Sequence, residues 1–396
     1  MNPALHPAAP VAGAPTDPVL DVYLAGVGHV GGALLGQIAA LPASGLRLIG
    51  ACTRRTSAFA ASGLDAAAPD LRPEAADLDA LVQTLARHAA ARPTVFVDAT
   101  GSPEVADLVE PLLAAGVSVV TPSKLANTRS QDLYDRLRAL AAGGRVHYRY
   151  ETTAGAGLPV VGTVESLVAT GDRVRSIRGV LSGTMTYLFG QIERGASFST
   201  AARWAHEQGY TEPDPRDDLS GEDVARKLLI LARSAGFKAE RTDVEVESLV
   251  PPEAASVPVT LVTDALAASD AAWADRVARA EAEERRLRYV GRLEPREGRA
   301  PLLRVGVEAV PAASPLGRLG GTDNLVEITT DRYAASPIVV QGPGAGPAVT
   351  AAGVLADVLA VARAARPEAG ASEAGASEAG AAAEASATPR RAAAGS

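Results

Sequence analysis

The sequence contains little cysteine and few aromatic residues. One of its 396 residues is a cysteine, Cys52, and 4% are Phe, Trp or Tyr. A single cysteine excludes an internal disulfide framework and is typical of a reducing cytoplasm. Because hydrophobic residues make up 47% of the chain, the core must be built mainly from Ala, Val and Leu. The length suffices for two domains of ordinary size.

Positive charge and long apolar runs are also scarce. The formal net charge is −8 at pH 7, and without a basic stripe the chain is not expected to bind nucleic acid. Residues 1–18 have neither the basic region nor the apolar run of a secretory signal. No stretch approaches the roughly 20 uninterrupted apolar residues that a membrane span needs. We therefore expect a cytoplasmic protein with a small-molecule substrate and no membrane contact.

The two ends of the chain lack the apolar side chains that a core requires. Residues 1–18 are rich in Pro and Ala, and residues 366–396 form a low-complexity tail of Ala, Gly, Ser and Glu. Such compositions predict disorder.

Between these ends, two kinds of pattern follow one another. In residues 19–158, β-branched runs such as VLDVYLAG, LRLIGACT and PTVFVDAT alternate with helical patterns. This alternation predicts an α/β fold with a Rossmann-type parallel sheet. In residues 159–335, strands and helices mix irregularly, which predicts an α+β domain with a mixed sheet. Residues 336–365 predict a strand, a glycine turn and a helix that return to the first domain.

A glycine motif opens the first helix directly after the first strand. Its residues are Gly26, Gly28 and Gly31, with His29 and Val30 between the last two. Such glycines provide a tight turn, close approach to a pyrophosphate, and close helix–strand packing. The free N–H groups of the helix N-terminus attract the anion. This context favours a dinucleotide site over the alternative, a purely structural turn.

The end of the second strand bears on the choice of dinucleotide. Where an acid would bind a ribose 2′-hydroxyl, the chain has Cys52, Thr53, Arg54 and Arg55. Two arginines and no acid favour NADP, with NAD possible; solvated surface arginines are the alternative. Thr100 follows the third strand of the alternating series at the carboxyl edge, where ligands of open α/β sheets bind, and is expected to touch the nicotinamide half.

The stretch from Gly209 to Lys227 gathers many carboxylates before the apolar run LLILA. Ser220 and Asp223 have the spacing of a capping box, and Asp223 and Lys227 are at i and i+4 on one helix face. One interpretation is a capped helix with a surface salt bridge. The other is a substrate site, in which carboxylates bind an ammonium and a partly desolvated lysine gives up its proton. Lys124, at the same carboxyl edge, is either an ordinary exposed lysine or part of that site.

A glycine-rich turn follows Glu151 in the run ETTAGAGLP. Such a turn can point carbonyl groups inward beside the carboxylate and form a site for a hard cation. A turn without an ion is the commoner outcome. No Cys/His cluster indicates a transition-metal centre.

The run from Ala205 to Lys227 resembles the signature of the homoserine dehydrogenase family. The resemblance covers nearly all of the chain between the two ends, through the segments GVGHVG, DATGSPEV, TPSK, ETTAGAGLP, LSGTMTYLF and QGPGAGPAVTAAGV. It implies the reversible reduction of L-aspartate 4-semialdehyde to L-homoserine with NAD(P)H, by a homodimer formed through the sheet of the second domain. The chain has room for neither the aspartate kinase nor the ACT domain of many relatives, so feedback inhibition by threonine through such a domain is not expected.

The resemblance also implies roles for particular residues. Lys227 would donate the proton to the aldehyde oxygen, and Lys124 would lie beside the nicotinamide and the substrate as the second catalytic lysine. Residues implied to bind the substrate are Glu212, Asp223, Asp218, Tyr210 and Thr184. Expected cofactor contacts are Gly26, Gly28, His29, Val30, Gly31, Arg54, Arg55, Thr100, Lys124, Gly209 and Gly346, with no chemistry assigned to His29. A sodium ion with a structural role would be held by Glu151 and the carbonyl groups of Ala154, Ala156 and Leu158.

Two other functions are compatible with parts of this pattern. A catalytically silent nucleotide sensor would keep the glycine motif, but such a decayed site would usually have lost one of the lysines or carboxylates. Another dehydrogenase of amino acid-type substrates would explain the glycines and Lys227, but not the whole run from Ala205 to Lys227.

Overall fold

A computed structural model describes residues 19–366 of the chain. The predicted disorder of residues 1–18 and of the tail beyond residue 366 lies outside the described residues.

The first part of the chain forms a six-stranded, mostly parallel sheet in the order β3-β2-β1-β4-β5-β6. Only the edge strand β3 runs antiparallel to its neighbour. The strands are β1 (Leu20–Ala25), β2 (Leu46–Cys52), β3 (Ser57–Phe59), β4 (Thr94–Asp98), β5 (Ser118–Val120) and β6 (Tyr148–Arg149). The helices are α1 (His29–Ala39), α2 (Leu78–Ala89), α3 (Pro103–Ala106), α4 (Val109–Ala114), α5 (Leu125–Thr128) and α6 (Gln131–Ala142).

The order of these strands creates a crevice between β1 and β4. The chain proceeds from β1 to β2 on one side and continues with β4 on the other. The two connections therefore leave the carboxyl edge in opposite directions, and the loops after β1 and β4 separate. Ligands of open α/β sheets bind at such switch points. Here the loops that meet are the glycine motif and the segment at Thr100.

The rest of the chain builds a second six-stranded sheet in the order β12-β11-β7-β9-β10-β8. Its pairs are antiparallel except for β10 and β8. The strands are β7 (Val174–Val180), β8 (Val244–Val246), β9 (Arg285–Arg296), β10 (Arg299–Pro311), β11 (Asp323–Thr330) and β12 (Ile338–Pro343). The mixed second sheet confirms the predicted fold class, while the predicted boundary between residues 158 and 159 stays a prediction.

Ten helices accompany the second sheet in the described part of the chain. They are α7 (Val161–Ala169), α8 (Gly183–Glu193), α9 (Phe198–Glu207), α10 (Pro215–Leu219), α11 (Glu222–Ser234), α12 (Pro252–Ala255), α13 (Val262–Ala265), α14 (Asp270–Ala282), α15 (Pro315–Arg318) and α16 (Pro347–Ala364). Short 3₁₀ helices occur at Pro42–Ser44, Glu151–Thr153, Arg241–Asp243, Val259–Leu261 and Leu266–Ser269.

The segment 336–365 is divided between the two sheets. Strand β12 pairs with β11 in the second sheet, which corrects the prediction that strand and helix both return to the first domain. Only α16 returns, where Val354 and Val358 pack with Leu34 and Ile38 of α1. By length and composition α16 could cross a membrane, a test that core helices also pass. Its packing against α1 makes it a core helix here.

Helix α11 joins the largest core cluster, which extends across both sheets. Leu228, Leu229, Ile230 and Leu231 are each fully buried, so the apolar run LLILA has no solvent-facing side. The helix therefore holds its first turn, with Asp223 and Lys227, at the border between the core and the cavity beside the first sheet.

The start of α11 corrects the predicted capping box. Its N-cap is Gly221, in the left-handed region at φ 77°, without a side-chain cap. Ser220 instead ends α10, and its hydroxyl oxygen accepts a hydrogen bond from the N–H of Glu222 at 3.2 Å. A Cβ on Gly221 would lie 1.9 Å from the Tyr289 hydroxyl. Only glycine combines this φ with that close approach.

Candidate functional site

The glycine motif forms a turn that only glycine permits. Gly26 has φ 95°, and a Cβ there would lie 2.6 Å from the carbonyl oxygen of Ala99. A Cβ on Gly31 would lie 1.8 Å from the carbonyl oxygen of Gly26, whereas a Cβ on Gly28 would meet nothing within 4 Å. The first and third glycines are thus required for packing. The second leaves open space at the N-terminus of α1, whose N-cap makes no side-chain hydrogen bond, and a pyrophosphate fits there.

A cavity of about 720 Å³ extends from this turn to the end of β2. Arg54 lines it, together with Gly26, Gly28, Thr100 and residues of α3. Arg55 is exposed and is not among the lining residues. Arg54 is exposed as well, and the Thr53 hydroxyl accepts hydrogen bonds from the N–H groups of Arg55 and Thr56.

A larger cavity of about 830 Å³ lies between the carboxyl edge of the first sheet and the first turns of α11. Val30, Thr100 and Lys124 line it on the side of the first sheet, and Gly346 lines it on the side of α16. Asp223 and Lys227 form part of the opposite wall. The cavity therefore brings together residues predicted to bind the cofactor and residues predicted to act on the substrate. His29 is exposed at the start of α1 and is not among the lining residues.

One carboxylate bridges the two predicted lysines. Asp223 Oδ1 lies 3.2 Å from Lys124 Nζ, and Asp223 Oδ2 lies 2.8 Å from Lys227 Nζ. Lys227 also donates a hydrogen bond to the carbonyl oxygen of Leu181 at 2.7 Å. Its side chain is 13% exposed, against 27% for Lys124, so Lys227 is the more desolvated of the two lysines.

The bridge keeps Asp223 ionised. Burial alone would raise the pKa of this carboxyl, but the positive charges of Lys227 and Lys124 outweigh burial and hold the pKa well below its usual value. Asp223 is therefore an anion at every pH at which the protein is expected to work.

A buried acid that the sequence did not single out lies below the cavity. Asp98 is 1% exposed, and burial raises the pKa of its carboxyl. Asp98 Oδ1 accepts hydrogen bonds from the N–H and the hydroxyl group of Thr100 at 2.9 and 2.6 Å. Thr121 also donates to the backbone oxygen of Asp98. These bonds fix the loop after β4 at the cavity floor.

The other predicted substrate residues form a cluster in which Tyr210 and Glu212, on the loop before α10, meet Thr184 of α8 and Asp218 of α10. The Thr184 hydroxyl donates to Tyr210 O at 2.5 Å and to Asp218 Oδ1 at 3.1 Å, and the N–H of Glu212 donates to Asp218 Oδ2 at 2.7 Å. Burial raises the pKa of Asp218. None of these four residues lines the larger cavity, nor does Gly209, which is exposed with φ 70°.

Several cavity residues were not predicted from the sequence. Asp217, Ser220, Glu222 and Arg226 all line the larger cavity. Glu222 is held by Arg226, at i+4, and by Arg241. The i, i+4 spacing of Glu222 and Arg226 predicts an ion pair on one face of a helix. The sequence of α11 does not indicate that this face is directed toward the first sheet.

The turn after Glu151 has features that fit a hard cation. Gly155 and Ala156 have φ values of 119° and 53°, and the buried hydroxyl of Thr152 has no hydrogen-bond partner among the described residues. The two oxygens of Glu151 accept hydrogen bonds from the N–H groups of Val161 and Gly162, both at 2.7 Å, and burial raises the pKa of its carboxyl. Within residues 19–366, no group of three or more His, Cys, Asp or Glu side chains could hold a metal.

Comparison with known proteins decides the family. A family model described as homoserine dehydrogenase matches residues 159–359, and one described as its NAD-binding domain matches residues 26–151. The homoserine dehydrogenase of Emericella nidulans is 38% identical over 371 residues, which cover 86% of this chain and 98% of that protein. The chain belongs to the homoserine dehydrogenase family. The predicted resemblance is thereby confirmed.

The bifunctional relatives are longer than this chain. The bifunctional aspartokinase/homoserine dehydrogenase 2 of Zea mays is 40% identical over 87% of this chain, but the match covers 38% of that protein. The chain thus spans about two fifths of the length of the bifunctional relatives that it matches.

Solved structures share the fold of this homoserine dehydrogenase family member. A Candida auris protein of unknown function superposes with a TM-score of 0.80 at 34% identity, covering 87% of this chain and 98% of that one. A hyperthermophilic archaeal homoserine dehydrogenase in complex with NADPH has a TM-score of 0.66 at 22% identity, covering 88% and 98%. The second likeness concerns the fold alone.

Proposed function

We propose that the chain is a homoserine dehydrogenase that reduces L-aspartate 4-semialdehyde reversibly to L-homoserine with NAD(P)H. The observation that carries this proposal is the Lys124–Asp223–Lys227 bridge, in a cavity shared with the nicotinamide side of the dinucleotide fold. When bound, the reduced nicotinamide supplies a hydride to the aldehyde carbon. The protein must supply the proton and hold the substrate.

Lys227 is suited to donate that proton. A lysine ammonium has three N–H donors, and two of them are directed to Leu181 O and Asp223. The third remains for the aldehyde oxygen. As the C=O π electrons move onto oxygen, the Lys227 N–H bond breaks and an O–H bond forms, leaving a neutral amine and an alcohol.

The substrate ammonium needs anions near this lysine. We assign Asp223, Glu212 and Asp218 to this role, with Thr184 and Tyr210 beside them. The hydrogen bonds from Thr184 to Tyr210 O and Asp218 attach their loop to the first turn of α8. That turn begins two residues after Leu181, the acceptor of Lys227. The substrate would thus lie between this loop and α11.

Steady-state kinetics test the proposed function. Aspartate semialdehyde should cause oxidation of NADPH, followed at the nicotinamide absorbance, and homoserine should cause the reverse. Oxidation only with a different carbonyl compound in a substrate panel would support another amino acid-type dehydrogenase. Cofactor binding without turnover of any substrate would support the catalytically silent sensor.

Arg54 is the residue that we propose to contact the 2′-phosphate of NADP. It lines the cavity that extends from the glycine turn, and the neighbouring Arg55 does not. Because a hydrogen bond to a charged group contributes about 1.5–3 kcal/mol, Arg54→Ala should raise the KM for NADPH by roughly 10–100-fold. The KM for NADH should change little.

Arg55→Ala is the matched control, because it removes the same charge one residue away. It should leave the KM of both cofactors near the wild-type values. Equal losses of NADPH affinity in the two variants would mean that bulk charge, not a contact of Arg54, determines the preference.

We further propose that Glu151 and the carbonyl groups of Ala154, Ala156 and Leu158 hold a structural sodium ion. The left-handed backbone at Gly155 and Ala156 supports this site, as does the Thr152 hydroxyl, which has no hydrogen-bond partner within residues 19–366. Replacing NaCl with choline chloride at equal ionic strength should lower the Tm of the wild type and leave that of Glu151→Gln unchanged. An equal shift in both proteins would exclude the site.

We also propose a homodimer in the cytoplasm, formed through the second sheet. One face of that sheet carries the ion pairs Arg178–Glu308, Arg178–Glu327 and Arg292–Glu308. The buried Nε atoms of Arg178 and Arg292 have no partner within the described residues, as expected if a second copy supplies acceptors. Sedimentation equilibrium at micromolar concentration should give the mass of two chains, and the mass of one chain would contradict the proposal.

A further inference from the structure

Arg233 is a buried arginine on the same helix as Lys227. Its side chain is fully buried, and it lies six residues after Lys227, about 9 Å along the axis of α11. Burying a guanidinium is costly unless its donors are satisfied. The hydrogen-bond acceptors of Arg233 must therefore offset the cost of burying its charge.

Four N–H groups of the guanidinium donate to backbone oxygens from two separate segments, and Nη2 also pairs with the carboxylate of Glu240 at 3.3 Å. Nη1 donates to Asn127 O at 2.7 Å and to Arg129 O at 2.8 Å. Nε and Nη2 both donate to Ala239 O, at 3.0 and 2.8 Å. The first two oxygens belong to the end of α5, and the third belongs to the segment that follows α11.

Helix α5 carries the other lysine. Lys124 is the N-cap residue of α5, and its carbonyl oxygen accepts a hydrogen bond from the Thr128 hydroxyl at 2.9 Å. Asn127 and Arg129 lie one turn further on, where a short helix exposes its last carbonyl groups. A cation at that end compensates them. Arg233 thus connects the element that carries Lys124 with the element that carries Lys227.

We propose that Arg233 is a positioning residue, which fixes α5 against α11 and thereby sets the Lys124–Asp223–Lys227 bridge. This inference rests on the proposed function. The bridge joins the two helices at the cavity, and Arg233 joins them two turns deeper in the core. Without the deeper connection, Lys124 and Asp223 could separate while each domain stayed folded, and Lys227 would lose its fixed orientation.

Arg233→Lys tests the proposal. A lysine keeps the positive charge but has no planar fork, so it cannot satisfy carbonyl groups of both segments at once. Because small displacements of catalytic groups can cost up to about 10²-fold in rate, we expect kcat on aspartate semialdehyde to fall roughly 10–100-fold. The Kd for NADPH, measured by fluorescence titration, should change far less than kcat, since Lys124 is the one expected cofactor contact that depends on Arg233 and the glycine turn does not.

Arg288→Lys is the control for the cost of replacing a buried arginine. Arg288 is 1% exposed and donates to the backbone oxygens of Leu316, Gly317 and Leu319, but it lies in β9 of the second sheet. Both variants should lose thermal stability, and only Arg233→Lys should lose kcat once rates are expressed per folded protein. Equal kcat losses in the two variants would refute the positioning role.

A double-mutant cycle separates positioning from a merely structural effect. If Arg233 acts through the bridge, Arg233→Lys should cost little further kcat in an Asp223→Asn background, because the bridge is already broken. Additive losses would overturn the inference. A wild-type protein without activity on the semialdehyde would instead refute the proposed function, and the two failures are therefore distinguishable.

Discussion

Lys227→Ala is expected to lower kcat for aspartate semialdehyde by about 10²–10⁴-fold, the range of a lost general acid. The variant lacks the N–H that we assign to the developing alkoxide. The Kd for NADPH should remain near that of the wild type, because Lys227 lines the larger cavity and not the one that extends from the glycine turn. Pre-steady-state measurements should show the loss in the hydride-transfer step itself.

Lys238→Ala provides the matched control. Lys238 lies just beyond the same helix, but its side chain is 81% exposed and pairs with Asp135 on the surface. Exposed ion pairs contribute at most about 1 kcal/mol, so this variant should keep wild-type kinetics. Wild-type turnover by Lys227→Ala would remove Lys227 from the mechanism and make Lys124 the first candidate for the proton donor.

Gly31→Ala should impair both cofactor binding and stability. In an unconstrained helix, alanine is more favourable than glycine by about 1 kcal/mol. Here the new Cβ would lie 1.8 Å from the carbonyl oxygen of Gly26, so the turn must move. Overpacking of this kind costs about 1–3 kcal/mol or more. Each 1.4 kcal/mol of this cost that reduces the free energy of NADPH binding weakens the Kd roughly tenfold.

Gly32→Ala is the control for the helical preference. A Cβ on Gly32 would meet nothing within 4 Å, and the residue is exposed in the first turn of α1. This variant should bind NADPH as the wild type does, with an equal or higher Tm. If Gly31→Ala bound NADPH as tightly as Gly32→Ala, the close approach of Gly31 and Gly26 would not be needed for the site.

Part of the structure was open to prediction because its causes are local. The glycine spacing of Gly26, Gly28 and Gly31 imposes one backbone path, and its consequence is visible from neighbouring residues alone. The alternating strands and helices of the first domain likewise follow from periodicity within each segment. The short strands Ser57–Phe59 and Val244–Val246 were not predicted.

The start of α11 could not be predicted from its own segment. Ser220 has the right spacing for a capping box, and it still does not cap α11. The N-cap is Gly221 because Tyr289, on a distant strand, occupies the space that any Cβ would need. No pattern within the segment contains that information.

From its order of residues alone, this protein's family and its fold class could be inferred, because motifs and periodicity are properties of contiguous segments; Lys124 and Lys227 could be named as candidates in the same way. Tertiary structure alone decided that Asp223 bridges both lysines, that Arg54 rather than Arg55 lines the cavity at the glycine turn, and that β12 stays with the second sheet. Each of these three features depends on which segments, far apart in the sequence, pack against each other. That pairing is settled by the packing of the whole core, not by any one segment.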